Sequence, residues 1–348
     1  MSEKLNFDGK TVLIAGGTGS LGKALTNRLR AANKVVIFSR DELKQWTMRN
    51  EFHDDNVQFA VGDIRDRQRV EDVLVHANPH VVIIAAALKQ VDTCELAPQE
   101  SIKTNILGVQ NVVEATESAL LRLPNLECVV MVSTDKACAP TNVYGMSKAI
   151  AERIVTSRSA VPSRVKYVCV RYGNVLESRG SIIPLFHYQA LHAPAFTLTH
   201  RDMTRFIMTL EDSIDLILTA ALRGESGSTW LPKLRAMKIM DLAAIFSRKF
   251  GKPVDEIGMR PGEKLHESLI SEPESVRVRR EGDFYVMHPS FCPVDPQAEI
   301  FEYASSQDLL SQSDLENYLT SLGIFEASLS DFKGPRVETI REVEGEKL

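Results

Sequence analysis

A few side chains in this sequence stand at spacings that suit proton transfer. Thr134, Asp135 and Lys136 are consecutive, Tyr144 follows a short polar stretch later, and Lys148 lies four residues beyond Tyr144. If a helix starts near Asn142, Tyr144 and Lys148 share one face, because side chains at i and i+4 are neighbours. A free phenol has a pKa of about 10, and a nearby ammonium favours the phenolate. Lys148 is therefore expected to lower the pKa of Tyr144 and make it a proton acceptor at neutral pH. The spacing alone also describes a surface tyrosine beside a surface lysine, so its company has to decide between the two. That company begins with the apolar run Val129 to Val132, which reads as a buried strand. Ser133 to Lys136 then lie at its carboxyl end, where open α/β sheets bind ligands.

The elements that must position these residues start near the amino end. Lys10 to Ala15 reads as a strand and runs into Gly16-Gly17-Thr18-Gly19-Ser20-Leu21-Gly22. Both Gly17-x-Gly19-x-x-Gly22 and Gly16-x-x-Gly19-x-x-Gly22 fit a dinucleotide fingerprint, in which glycines let the backbone approach a pyrophosphate at a helix N-terminus. Leu21, Leu25 and Leu29 recur every fourth residue and predict that helix. A second strand, Lys34 to Phe38, ends at Ser39-Arg40-Asp41. An acid there suits the ribose hydroxyls of NAD and an arginine suits the extra phosphate of NADP. Arg40, with Ser39 and Lys44, favours NADP, while Asp41 keeps NAD as the alternative.

Gln58 to Val61 is a third predicted strand, followed by Asp63 and Ile64 as adenine contacts, with Asp63 also a candidate helix N-cap. His80 to Ala86 is a fourth, apolar enough to be central in a parallel sheet. The small Ala85, Ala86 and Ala87 would let a cofactor lie against the backbone, and Lys89 would point into the cleft. From Ser101 to Leu120 a helix is predicted, with Ile102, Ile106, Val109 and Val113 on its inward stripe. Val165 to Val170 is a sixth strand ending in Arg171-Tyr172-Gly173-Asn174. The alternation of strands and helices is that of a doubly wound parallel α/β sheet. After Asn174 the pattern loosens, so residues 1–175 are read as the nucleotide-binding domain and 176–332 as a smaller lobe that may interleave with it. Residues 333–348 are charged and aperiodic and read as a mobile tail. Arg277-Val278-Arg279-Arg280 is read as a solvated basic face rather than a phosphate site.

Composition narrows the class. The 348 residues are 44% hydrophobic and 25% charged, ordinary for a globular protein, and the net charge of −5 argues against a nucleic-acid partner. The apolar run Val81 to Leu88 is far short of the roughly 20 residues a bilayer demands, so no membrane partner is expected. The opening residues lack a signal-peptide core, and five cysteines without a Cys-x-x-Cys pair read as reduced thiols, which together predict a cytoplasmic protein. The eight histidines show no metal-ligand spacing, and no metal is predicted.

A fingerprint, an arginine at the second strand's end and a Tyr-x-x-x-Lys helix suggest hydride transfer, with Tyr144 taking a hydroxyl proton, Thr134 bonding the same hydroxyl and Lys148 holding the nicotinamide ribose. At this level the sequence resembles the extended short-chain dehydrogenases/reductases, which carry a nucleotide-sugar lobe at the C-terminal end. Asp135 and Lys136 add an acid beside a base, and that pair is what an elimination needs. Once C4 of a sugar is a ketone, the C5 proton is acidic and the C6 hydroxyl can leave as water. Lys136 could take that proton if burial depresses its pKa, and Asp135 could protonate the leaving group.

The longer motifs Ser133-Thr-Asp-Lys-Ala137, Asn142-Val-Tyr-Gly-Met-Ser-Lys148, Arg171-Tyr-Gly-Asn-Val175, Ser178-Arg-Gly-Ser-Ile-Ile-Pro-Leu-Phe186, Met203-Thr-Arg-Phe206 and Arg260-Pro-Gly-Glu-Lys-Leu-His-Glu267 are similar to the inverting UDP-N-acetylglucosamine 4,6-dehydratases, which begin pseudaminic acid biosynthesis. The resemblance covers about residues 8 to 288; Ala15, where the family usually has threonine, is a departure. It implies Asn105 as a further cofactor contact and Lys89, Ser133, Thr134, Asn174, Arg205, Arg260 and Glu263 as substrate contacts. Arg260 and Glu263 could instead pair with each other. It also implies a homo-oligomer built through the Ser101–Leu120 and Tyr144 helices.

Overall fold

The structure is a computed structural model and describes residues 7–176, 181–294 and 296–326. The stretch Ser178–Gly180 and the tail from 333 lie outside the described residues. The chain divides into two compact units. One takes the residues up to Tyr172 together with Glu211–Lys233 and Leu269–Glu302, and the other takes Gly173–Leu210, Leu234–Ser268 and the residues from Tyr303.

In the first unit the strands are β1 (Thr11–Ala15), β2 (Lys34–Ser39), β3 (Val57–Val61), β4 (Val81–Ile84), β5 (Cys128–Val132) and β6 (Lys166–Val170). They are parallel and lie in the order β3-β2-β1-β4-β5-β6. The sheet continues past β6 with Thr229–Pro232 in parallel, then Phe284–Met287 and Val278–Glu281 antiparallel, making nine strands among the described residues. The central strands are continuous apolar runs because helices cover both faces. All four residues of β4 are buried, and Leu13, Phe38, Val82, Val109, Val129 and Tyr167 share one core. The order in which strands are added reverses between β1 and β4, and such a switch point opens a crevice at the carboxyl ends of both strands.

Two local readings need correction. The helix predicted from Ser101 is interrupted by a π-helical turn over Ile102–Leu107 before continuing as Gly108–Ser118. The wider turn rotates the face, so Ile102 is 43% exposed while Thr104 and Asn105 are buried. Val109 and Val113 keep the expected inward positions. The helix Arg67–Ala77 is capped by Asp66, which accepts from the Arg69 amide, and not by Asp63.

The second unit has a three-stranded sheet of Ala236–Lys238, Thr204–Met208 and Asn174–Val175, and a parallel pair of Phe196–Leu198 with Val254–Glu256. Its helices Ile182–His192, Ile239–Phe250 and Gln312–Ser321 close over Phe186, Phe196 and Phe246, whose ring centroids lie 5.3 to 5.9 Å apart. Gly251 ends the second helix at φ +68°, a left-handed cap that glycine adopts without steric cost. No helix among the described residues is long and apolar enough to cross a membrane.

Candidate active site

Tyr144 and Lys148 lie one turn apart on the helix Val143–Thr156. Two side chains fix where that helix begins. Asn142 accepts from the Gly145 amide at 2.8 Å, and Glu95 accepts from the Val143 amide at 2.6 Å. Gly145 has to be glycine for packing reasons, since a Cβ there would strike the Lys136 carbonyl. The helix is thereby seated directly on the 3₁₀ turn Asp135–Ala137 that follows β5.

That turn gathers the other reactive groups. The Thr134 hydroxyl donates to Asp135 Oδ1 at 2.9 Å, and Lys136 Nζ donates to the same oxygen at 3.1 Å. Asp135 is buried, whereas the Lys136 side chain keeps 20% of its surface exposed. Asp135 Oδ2 and Ser133 Oγ are buried without a hydrogen-bond partner. A buried polar atom left unpaired costs about 1–3 kcal/mol, and a ligand bound at this stretch could supply the missing bonds to both.

The titration of Tyr144 departs from the expectation. Burial pushes it up to about 12, with the Lys136 charge and a Thr134 hydrogen bond opposing the rise and Asp135 and Cys94 adding to it. The cation that acts on the phenol is Lys136, not Lys148, because Lys148 turns its amine to the Val132 carbonyl at 2.6 Å. Lys148 itself is 2% exposed, and burial lowers it to about 8 against the opposing pull of Glu152.

The glycine loop is built for close approach. At Gly16, with φ +84°, a Cβ would stand 2.6 Å from the Ala86 amide nitrogen, so the loop after β1 touches the end of β4. A Cβ on Gly22 would strike the Gly17 backbone. Thr18 is buried, Ser20 and Leu21 are half-buried, and the helix Ser20–Leu29 starts at Gly19 with no side-chain cap. Its first-turn amides therefore face an anion's position without a side chain competing for them. Ala85, Ala86 and Ala87 are half-buried beside the loop and Lys89 is exposed. These features fit a dinucleotide.

The remaining predicted cofactor residues separate into those that are available and those that are occupied. Arg40 is 53% exposed, with only a 3.6 Å ion pair to Asp63, which is more closely held by Arg65 at 2.8 Å. Asp41 caps the helix Glu42–Phe52 by accepting from the Lys44 amide, and its carboxylate pairs with Lys44 Nζ at 2.6 Å. The residue that argued for NAD thus has a structural duty, and Lys44 shares it. Ser39 Oγ accepts from Gln45. The Ile64 side chain is in the core against Gly108. Asn105 is fully buried and clamps the loop after β4, accepting from the Leu88 amide at 2.8 Å and donating to its carbonyl at 2.9 Å, while also donating to Ser147. It holds other parts of the site in place with the polar atoms that were expected to meet a cofactor.

In the second unit, Arg205 is buried, with its guanidinium on the Thr204 and Leu265 carbonyls and no carboxylate within ion-pair distance among the described residues. Asn174 is half-buried and Arg260 exposed. Glu263 does not pair with the Arg260 guanidinium; it accepts from the Arg260 backbone amide at 3.0 Å. Of the basic run, Arg279 and Arg280 are exposed, on Glu225 and Glu281 and on Glu299, whereas Arg277 is half-buried and donates to the His288 carbonyl at 2.6 Å. Sequence reasoning missed Glu152 and Glu274, which hold Arg171 from two sides. Glu152 could have been found, since it lies four residues past Lys148 on the same helical face.

A parallel sheet whose strand order reverses at a glycine loop, with a Tyr-x-x-x-Lys helix seated on the end of β5, defines an extended short-chain dehydrogenase/reductase. Within that class the chain belongs to the polysaccharide biosynthesis protein family, whose model matches residues 12–289. It is 40% identical over 289 residues to a UDP-glucose 4-epimerase of Rickettsia prowazekii, covering 80% of this chain and 83% of that one. It is 37% identical over 299 residues to an inverting UDP-N-acetylglucosamine 4,6-dehydratase of Campylobacter jejuni, covering 84% and 87%. Among solved structures, Pen from Bacillus thuringiensis matches with a TM-score of 0.83 at 33% identity, over 92% of this chain and 99% of that chain.

Proposed function

We propose that this protein is a nicotinamide-dependent nucleotide-sugar 4,6-dehydratase that acts on UDP-N-acetylglucosamine with inversion at C5, using NADP. The observation that carries the proposal is the Asp135–Lys136 pair, an acid and a base 3.1 Å apart on the turn that seats the Tyr144 helix. An oxidoreductase or an epimerase at C4 has no use for such a pair. A bound nicotinamide would supply reversible oxidation, taking hydrogen from C4 and giving it back at C6, so that no net redox change remains.

The chain's own residues do the rest. Thr134 and Tyr144 hold the C4 hydroxyl, and Tyr144 takes its proton. Because burial opposes the phenolate, the Lys136 ammonium beside it is what makes that acceptance attainable. Lys136 then needs to be an amine to remove the C5 proton, and Asp135 needs to be an acid to protonate the departing C6 hydroxyl. Moving one proton from Lys136 Nζ to the Asp135 carboxyl group, where Oδ2 would carry it, converts the ion pair into both required forms at once. Asp135 Oδ2, buried and unpaired, is the oxygen left to face the substrate. Tyr144 returns a proton to C5 from the other face, which gives the inverted centre.

Arg205, Arg260, Asn174 and Lys89 would serve the UDP-sugar, with Glu263 shaping the Arg260 turn; forked guanidinium donors suit a diphosphate. Arg40, exposed and loosely paired, suits the additional phosphate of NADP. The outward Met146 and Ile150, 47% and 48% exposed on the Tyr144 helix, support a self-associating protein.

The second reading is a nucleotide-sugar 4-epimerase, favoured by the 40% identity to the Rickettsia protein of that name. Incubation with UDP-N-acetylglucosamine and mass spectrometry of the product separates them. The dehydratase gives a product lighter by one water, and the epimerase gives one of unchanged mass. Unchanged mass with inverted C4 overturns the proposal.

A further inference from the structure

Arg171, the first residue after β6, is 1% exposed, and every N–H of its guanidinium is spent. Nε and one terminal nitrogen reach the two oxygens of Glu152 at 3.0 and 2.6 Å. The terminal nitrogens also reach both oxygens of Glu274 at 3.0 and 2.8 Å, and the last donor goes to the Leu269 carbonyl at 2.9 Å. Glu274 is fixed further by the Ser271 amide and hydroxyl and by the Cys138 thiol, which donates at 3.3 Å two residues past Lys136. The network therefore joins the Tyr144 helix, the end of β6, the turn that carries Lys136 and the short helix Glu272–Ser275.

Charge counting gives the network a direction. One guanidinium between two carboxylates leaves a single negative charge unbalanced in a buried site, which is costly unless a cation lies near. Glu152 sits one helical turn beyond Lys148, and Lys148 is the buried cation on that face. The groups acting on Lys148 are Glu152 from its own helix and the Cys169 thiol from β6, which burial keeps neutral. Lys136 and Asp135 from the turn after β5, and Cys94 from the helix Val91–Leu96, act on Tyr144 instead. The negative charge of the Arg171 network thus has a cation at each end, Lys148 beside Glu152 and the half-buried Arg277 acting on Glu274.

We infer that Glu152, locked in place by Arg171, is a positioning residue whose carboxylate holds Lys148 as an ammonium on the catalytic helix. Arg171 fixes the carboxylate and Glu274 completes the guanidinium, so the charge at Lys148 is set from outside the cleft. Burial alone drives Lys148 toward the neutral amine, and Glu152 pulls against it. A neutral Lys148 would lose the charge with which it is proposed to hold the cofactor ribose. This inference rests on that proposed role of Lys148, and its test needs no substrate, so it can fail or stand independently of the dehydratase reading.

The test is a titration of Lys148 in the full chain by NMR of lysine labelled with ¹³C at Cε, with the resonance assigned by its absence in Lys148→Arg. In the unaltered protein the midpoint should fall near 8. Glu152→Gln keeps the shape and removes the charge, and should lower the midpoint by about one pH unit or more, a ten-fold change in ammonium acidity. Glu274→Gln removes an equal charge on the far side of Arg171 and should move it by less than half as much. Should Glu152→Gln yield too little folded protein, Glu152→Asp withdraws the charge by one methylene and should still lower the midpoint. An unchanged midpoint in the position-152 variant studied, or an equal shift from Glu274→Gln, overturns the inference.

Discussion

Two lysines attend Tyr144, and the protein treats them in opposite ways. Lys136 lies on the turn after β5 with a fifth of its side chain exposed, paired to the Asp135 carboxylate, whose second oxygen has no hydrogen-bond partner. Lys148 is buried on the helix, anchored to the Val132 carbonyl, and answered by a network that spends every donor of Arg171. The first arrangement can exchange a proton with its partner and with a ligand, while in the second both oxygens of Glu152 are already held by Arg171. The contrast teaches that residue type does not assign a lysine's role: the number of bonds its counter-charge has to spare does. A carboxylate with an open oxygen can act as an acid, whereas one held by both oxygens can only act as a field.

The sharpest way to break the comparison is Lys136→Ala. If Lys136 is the base, turnover should fall by about 10²–10⁴-fold, the range of a general base, while nicotinamide binding followed by fluorescence changes less than two-fold. Equal loss of cofactor binding would move Lys136 to the structural side of the contrast.

Arg171→Met probes the other region through stability. It strands two buried carboxylates and should cost about 3–5 kcal/mol, read as a lower urea midpoint. Arg279→Ala, on the surface with Glu225 and Glu281, should stay within about 0.5 kcal/mol. Similar costs for the two would remove the distinction between a buried network and a solvated run.

Lys148 also predicts a pH effect of definite sign. Its folded value near 8 lies below the unfolded value of about 10.4. Between those limits the unfolded chain binds more protons than the native one, so stability rises with pH across that window and is not gained below it. The rise, of order 3 kcal/mol at most, should be seen in the difference between the unaltered protein and Lys148→Met. A flat difference from pH 7 to 10.5 would mean that burial does not depress Lys148.

Much of the architecture was legible because its causes are local. Apolar runs announce β4 and β5, the glycines between β1 and its helix announce a turn of close backbone approach, and the spacing of Tyr144 and Lys148 needs only a helix to bring them together. What escaped depends on distant or three-dimensional facts. The π turn at Ile102–Leu107 changes a face without changing composition, so Ile102 is exposed where regular helical spacing would bury it. The direction of the Tyr144 shift follows from burial and from Lys148 facing Val132, and neither is a matter of spacing. Arg171 meets Glu274 across 103 residues, a separation at which no periodicity speaks. That Asp41 caps the helix Glu42–Phe52 and pairs with Lys44 is likewise a fact of the fold that its position after β2 does not announce.

The account rests most directly on removal of the C5 proton by Lys136. Turnover of UDP-N-acetylglucosamine in heavy water, with NMR of the product, reads that step. The account predicts one solvent deuteron at C5 with inverted configuration, and its loss together with the product in Lys136→Ala. A dehydrated product whose C5 keeps its original hydrogen, or a Lys136→Ala protein that still installs deuterium there at the full rate, would contradict it.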